Sequence, residues 1–485
     1  MLFDKIKSSG IWQTLEVGVT FITQFLYLAI MARILSKQDF GLMAIANSFV
    51  IFGSLFAESG MGAALIQKKD LTNKHINAAL QGGILFGLIL FILFFLSAPL
   101  IANFFKVAQV GTIIKVISVT FLIVSLSAAS LGILQRDFKF KEKAIVTIIS
   151  TIIAYAAGVI SGIYGLGVWS LIVASMLLSI LKTVGYLYFA RIRFLNRVHL
   201  KEWKELYSFG FGMTLVKISN YIGTSGIILV LGKVFSPTVL GVFERTFTIK
   251  TLPSKYIGNV LDTIMFPAMA QIQTEEDRLF TLYQYSLGIV NTILMPISIY
   301  LIFFCKEIVL ILLGKEWSEA VVPLQIMFIV LAFSSSGRMA DSVIRATGMI
   351  YKNVYRKYLY VIVLIISATF GGYKFGLAGA AAGVTFSYLF NYILMLFLVK
   401  NIFKKSIGEI FLSPILSGLK LTLILLFILL AITTILNLWG TTSVTYFMAL
   451  TFLLALVVLL IIWRKPSFFG VYVGGLLNRM NSFPK

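Results

Sequence analysis

Apolar runs of roughly twenty residues or more recur along the whole chain, separated by short polar connectors. That length matches a bilayer's hydrocarbon core crossed by a helix rising about 1.5 Å per residue. Taking each run as one helix predicts spans near 8–33, 38–66, 78–104, 110–134, 144–164, 166–190, 206–233, 238–270, 281–304, 319–346, 354–372, 376–400, 413–436 and 443–463. Segment 305–318, CKEIVLILLGKEWS, is short and charged, and is predicted to be an interfacial helix. The ~10-residue alternation of a membrane β-barrel is missing. The predicted fold class is an all-α polytopic membrane protein with about fourteen transmembrane helices. The N-terminal MLFDKIKSSG is basic, but no small-residue cleavage site follows a short apolar core, so the first run is read as a retained span.

The pattern repeats. A shift of 200 positions superimposes Ser8 on Ser208, Gly10 on Gly210, Thr14 on Thr214, Leu15 on Leu215, Ile22 on Ile222, Ser36 on Ser236 and Gly41 on Gly241, with Arg33 on Lys233. Later, YGLGVWS (164–170) is echoed by FGLAGAA (375–381). The echoes fall at equivalent spans. With about six spans per copy, the two copies share one orientation and are related by an axis along the membrane normal. The expected organisation is an N-terminal lobe over 1–200, a C-terminal lobe over 201–405, and a final segment, 406–485, with two more spans and a tail.

Composition sharpens this reading. The chain of 485 residues is 59% hydrophobic and 12% charged, with a formal net charge of +22. The basic residues lie mostly in one set of connectors: Lys68, Lys69 and Lys74, then QRDFKFKEK (135–143), RIRFLNRVHLKEWK (191–204), YKNVYRKY (351–358), Lys404 with Lys405, and Arg464 with Lys465. Positive-inside orientation accounts for that asymmetry without invoking nucleic acid, and places both termini in the cytoplasm. Cys305 is the one cysteine, so no intrachain disulfide forms; His75 and His199 lie in basic connectors, and neither zinc nor a cofactor is expected. No nucleophile–base set and no Gly-rich phosphate loop followed by lysine occurs.

Several spans carry polar stripes at helical spacing. In the first, Ser9, Gln13, Glu16, Thr20, Thr23 and Tyr27 share a face, with Gln24 in the same span. In the second, Asn47, Ser54 and Glu58 align; in the seventh, Thr214, Lys217, Tyr221 and Thr224, with Asn220 at the flank. In the eighth, Arg245, Thr248, Lys255, Asn259 and Asp262 share a face with a kink expected at Pro253, and Lys250 points elsewhere; in the tenth, Ser334, Arg338, Asp341 and Arg345 align. Charges facing lipid at mid-bilayer cost at least ~2.5 kcal/mol each, so these stripes face protein or water. One polar cavity between the lobes accommodates all of them. Buried ion pairs such as Asp262 with Arg338 are the alternative for any single charge. The excess of Lys217, Arg245, Lys255 and Arg338 over Asp262 and Asp341 favours a cavity that welcomes anions. Glu16 and Glu58 have no evident basic partner in their lobe at their depth. They are candidates for carrying a proton or cation, with a hydrogen-bonded pair of protonated acids as the alternative. Lys182 shares a face with Ser175, Ser179 and Tyr186; it and Lys420 are weaker signals that snorkelling would also explain. Trp169 and Trp203 fit interfacial anchors.

The stretches ILSKQDFGLMAIA (34–46), ESGMGAALIQKKDLT (58–72), LQRDFKFK (134–141) and YGLGVWSLIVA (164–174) resemble the polysaccharide-exporter branch of the MOP flippase superfamily, which contains the Wzx-type flippases. The resemblance covers the first lobe and continues more loosely to the end. It implies two six-helix lobes around a central cavity plus two extra helices, in the bacterial inner membrane. It also implies movement of an undecaprenyl-diphosphate-linked oligosaccharide from the cytoplasmic to the periplasmic leaflet, among membrane lipids and beside polysaccharide polymerase or assembly proteins. The role of the lumen cations is carried over, not a residue map. Three other readings remain at this point. A drug or metabolite antiporter of the same superfamily would call for an acidic cavity. A membrane glycan polymerase or ligase would call for a long outward loop, where here the outward connectors are short. A non-transporting scaffold is the third.

Overall fold

The computed structural model describes residues 2–57, 61–68, 70–192, 200–206 and 221–438. The described residues form helices α1 (Leu2–Ile34), α2 (Lys37–Ala57), α3 (Met61–Gln67), α4 (Asn73–Phe105), α5 (Ala108–Ile117), α6 (Val119–Arg136), α7 (Phe140–Ile163), α8 (Val168–Ala190) and α9 (200–206). A π-turn over Ile222–Gly226 leads into α10 (Ile227–Val234). Then come α11 (Pro237–Gln271), α12 (Glu276–Phe303), α13 (Cys305–Leu312), a 3₁₀ turn over Lys315–Ala320, α14 (Val321–Phe328), α15 (Leu331–Ala346), α16 (Ile350–Phe403) and α17 (Ile407–Leu438). No strand occurs among them.

Among the described residues, eight helices are long and apolar enough to cross a membrane, or nine if the pair Lys315–Phe328 and Leu331–Ala346, bent by 45°, counts as one. The segment 305–318, expected as one short helix, folds as α13 followed by the start of the 3₁₀ turn. The run expected over 38–66 comprises α2 and α3. The helix α11 continues through Pro253. The expected span 443–463 lies outside the described residues.

The echo of YGLGVWS in FGLAGAA is a backbone feature. Gly165 and Gly376 both have positive φ, 78° and 62°. The first lies in the turn between α7 and α8, and the second breaks α16 into two spans as expected. Glycine adopts that region without steric cost, which lets the chain reverse between helices.

By contact the chain divides into Met1–Glu244 and Arg245–Lys485. The helix α10 and the first two turns of α11 therefore group with the first unit, although the second sequence copy starts near 201. In the first unit, α7 packs on both α1 and α8, and α4 packs on α6. In the second unit, α12 packs along α17 and α15 along α16, around Tyr283, Leu287, Val290, Met339, Val343 and Val399.

Motifs of the first unit serve as scaffold. Ser36 caps α2: its hydroxyl donates to Asp39 at 2.6 Å and accepts the Asp39 N–H at 3.2 Å. Arg136 donates through Nη1 to the carbonyls of Leu65 (2.6 Å) and Lys68 (2.5 Å), satisfying the C-terminal end of α3. Glu205 on α9 binds Lys68 and lies 3.4 Å from His75 Nε2, tying α9 to the start of α4.

Candidate functional site

In the first unit, Glu16 on α1 and Lys143 on α7 form a close ion pair. The lysine Nζ donates to both carboxylate oxygens, at 3.1 and 3.3 Å. Both side chains are shielded, 13% and 14% exposed. Lys182 on α8 lies within electrostatic reach of both. The expectation that Glu16 lacks a basic partner is thus corrected. The sequence pattern puts Lys143 at the end of a connector, but α7 starts at Phe140, so the FKEK stretch is its first turn and Lys143 reaches Glu16. One turn further along α7, Thr147 bonds the Tyr186 hydroxyl of α8 at 2.9 Å. Tyr27 on α1 stacks on Tyr155 of α7 with ring centroids 4.2 Å apart.

Of the other candidates in this unit, Gln24 is half-buried on α1 and Asn47 is exposed on α2. Tyr221 is buried, donating its hydroxyl to the Ser48 carbonyl at 3.1 Å and leaning on Phe52 at 5.3 Å. Glu58, Lys217 and Asn220 lie outside the described residues.

The second unit holds a larger polar cluster. Asp341 on α15 accepts a hydrogen bond from Asn353 Nδ2 at 2.7 Å and forms ion pairs with Arg345 (Nε at 3.3 Å), Arg356 (Nη2 at 3.6 Å) and Lys357 (Nζ at 4.0 Å). Arg356 is buried. It also donates to Asn353 Oδ1 at 2.7 and 2.9 Å and to Asn391 Oδ1. Burial of a guanidinium in a helix bundle requires such saturation of its donors. The expected pairing of Asp262 with Arg338 rests on a side chain outside the described residues, as do the side chains of Lys255 and Asn259 on α11. Arg245 and Arg338 are described and half-buried, on α11 and α15.

Lys250 is 2% exposed, with Nζ 3.5 Å from the centroid of the Tyr388 ring. Tyr388 in turn packs edge-on against Tyr360, centroids 5.7 Å apart. The stripe reading gave Lys250 no role because it lies off the face of Arg245 and Asp262. It missed Arg356 for the reason it missed Lys143: a basic residue read as connector belongs to the first turns of a long helix.

The residues 30–322, more than half of the chain, match the family described as polysaccharide biosynthesis protein. The chain belongs to that family. This polysaccharide biosynthesis protein is similar to two curated proteins over most of its length. An uncharacterized membrane protein in the cps region of Klebsiella pneumoniae is 25% identical over 430 residues, 87% of this chain and 88% of that one. The lipopolysaccharide biosynthesis protein WzxC of Escherichia coli (strain K12) is 22% identical over 419 residues, 85% and 84% of the two chains. Its fold is similar to that of the lipid II flippase MurJ in an inward closed conformation, with TM-score 0.71 and 17% identity over 96% of this chain and 98% of that one. The protein is thus a multi-pass membrane protein of the polysaccharide biosynthesis family, with a fold similar to that of a lipid flippase.

Proposed function

We propose that this protein flips an undecaprenyl-diphosphate-linked oligosaccharide repeat unit from the cytoplasmic to the periplasmic leaflet by alternating access. It would act in the bacterial inner membrane, with both termini cytoplasmic and with polymerase or assembly proteins taking the product. The family match over residues 30–322 carries the reading. Likeness in fold to a lipid II flippase supports it, as does the excess of Lys217, Arg245, Lys255 and Arg338 over Asp262 and Asp341 in the polar stripes. In this reading Gln24, Asn47, Lys217, Asn220, Tyr221, Arg245, Lys255, Asn259, Arg338 and Asp341 line the substrate path. Glu16, Glu58 and Asp262 couple transport to a proton or cation.

The test is deletion of the gene followed by analysis of lipid-linked intermediates by leaflet. The expected result is loss of surface polysaccharide with lipid-linked repeat unit accumulating on the cytoplasmic face, reversed by the wild-type gene. Normal surface polysaccharide in the deletion strain, with no accumulation, would overturn the reading.

A further inference from the structure

One ammonium group stands on the outside of the second unit, half-way along a span. The helix α17 carries the span expected over 413–436, and it packs along α12 in the same direction. Gln284 Nε2 of α12 donates to the Glu409 carbonyl at 3.0 Å. Further along, Gly418 backs onto Asn291, whose carbonyl oxygen lies 2.6 Å from where a Cβ would stand. Asn291 is about 22 Å from the first residue of α12 and about 18 Å from its last, at 1.5 Å per residue. Lys420 follows Gly418 by about 3 Å on the same rise, so it lies near mid-depth. It is exposed, whereas Gly418 and Thr422, on the opposite face of α17, are buried. Leu416, Leu423 and Phe427 share the Lys420 face at helical spacing and are 45%, 54% and 74% exposed. Among the described residues no hydrogen bond or ion pair reaches the Lys420 ammonium.

A lysine near a helix end stretches to the membrane surface, but from mid-depth both surfaces are out of its reach. Facing hydrocarbon, its ammonium has neither a countercharge nor a hydrogen-bond acceptor. The chain itself offers no carboxylate there. After Glu409 it contains no Asp or Glu, so the expected span 443–463 has none. A second copy offers none either. Among the described residues every exposed carboxylate lies in a connector, in a short turn or near a helix end, and the shielded Glu16 and Asp341 are engaged by Lys143 and Arg356. We propose that the face of α17 bearing Leu416, Lys420, Leu423 and Phe427 docks another integral membrane protein, one whose span carries an aspartate or glutamate at mid-depth among apolar residues. The apolar side chains pack against that span, and the carboxylate pairs with Lys420. Selectivity follows from charge, because a span without an acid leaves the lysine buried and unpaired, and a span with a base repels it. The helix α17 follows the two repeated copies, which end near 405, so this face is an addition to the repeat and not part of it.

Photo-cross-linking of the full-length protein in its native membrane tests the proposal, with p-benzoylphenylalanine in place of Leu423 as the probe. The expected product joins this chain to another integral membrane protein, identified by mass spectrometry, with an aspartate or glutamate inside one of its spans. Its yield should fall at least fivefold in Lys420→Leu and in Lys420→Glu. Replacing the partner's carboxylate by lysine should restore the product in the Lys420→Glu background and in no other. The thermal midpoint of detergent-solubilised Lys420→Leu should hold or rise, which separates loss of docking from loss of fold. Cross-links confined to residues 443–463 of the same chain, to a second copy or to lipid overturn the proposal. So does a protein cross-link whose yield is the same in Lys420→Leu, or whose partner has no acid in its spans. A fall in the midpoint of Lys420→Leu also overturns it, because the ammonium would then have its partner within this chain.

Discussion

Gly41 and Gly241 sit at a helix crossing that leaves no room for a side chain on either. A Cβ on Gly241 would lie 2.9 Å from the Gly41 backbone nitrogen and overlap the Lys37 carbonyl; one on Gly41 would overlap the Pro237 carbonyl. The two residues are 200 positions apart and coincide in the internal repeat, so the start of α2 meets the start of α11 reciprocally. Each start is built alike, with Ser36 or Ser236 before the first turn.

Because the obstructing atoms are backbone, Gly41→Ala or Gly241→Ala should force the two helices apart. Each is expected to cost on the order of 1–3 kcal/mol, the usual range for overpacking. The thermal midpoint of the detergent-solubilised protein should fall, and the double variant should fall by less than the sum, because both relieve one crossing. Unaltered midpoints would show that the crossing is loose.

Asp341→Asn should destabilise the second unit by on the order of 3 kcal/mol, since buried Arg356 loses its countercharge. Arg356→Met should also destabilise, leaving Asn353 and Asn391 short of donors. Combining the two should recover part of the loss in a thermal-shift measurement. Strict additivity would mean that Asp341 and Arg356 are not coupled.

The carboxyl of Glu205 is held below its ordinary value of 4.5, first by the hydrogen bond from Lys68 and then by that from His75. A depressed carboxyl stabilises the fold above its unfolded pKa and loses that contribution as pH falls through the folded one. The tie between α9 and the start of α4 should therefore be intact above pH 4.5 and loosen below it. Fluorescence of Trp203, which stacks on Phe86 with centroids 6.4 Å apart, is the readout. Glu205→Gln should show the loosened signal at neutral pH, and a pH-independent signal in the wild type would count against the tie.

Cysteines at Asp137 and Lys404 should react with a membrane-impermeant thiol reagent only from the cytoplasm, and one at Lys374 only from the periplasm. Asp137, Lys404 and Lys374 are all exposed, at connector positions or at the break in α16. The background should be Cys305→Ser, which removes the native thiol. Labelling of all three from one side would contradict the orientation.

Alanine at Arg245, Lys255, Lys217 or Arg338 should lower polysaccharide export and raise cytoplasmic-face lipid-linked repeat unit, with glutamate worse than alanine because it adds repulsion. Arginine grips phosphate through a fork where lysine is a point charge, so Arg245→Lys should export less than wild type. If all four alanine variants express and export normally, these charges serve structure and not the substrate.

The sequence by itself determined that this is a helical membrane protein built from a repeat. Apolar length and connector charge are one-dimensional quantities, set by bilayer thickness, and both can be read along the chain. The echo of YGLGVWS in FGLAGAA was also legible, but the positive φ of Gly165 and Gly376 emerges only in the structure, where Lys106, Phe138 and Lys404 adopt the same region at other helix ends. What the tertiary structure alone decided is which charge meets which. Glu16 and Lys143 lie 127 positions apart, and Arg356 reaches Asp341 because α16 packs along α15. A basic residue at a helix start looks the same in sequence whether it points to water or into the bundle. Only the packing of α7 on α1, and of α16 on α15, fixes its direction, and with it the partner that offsets the cost of burial.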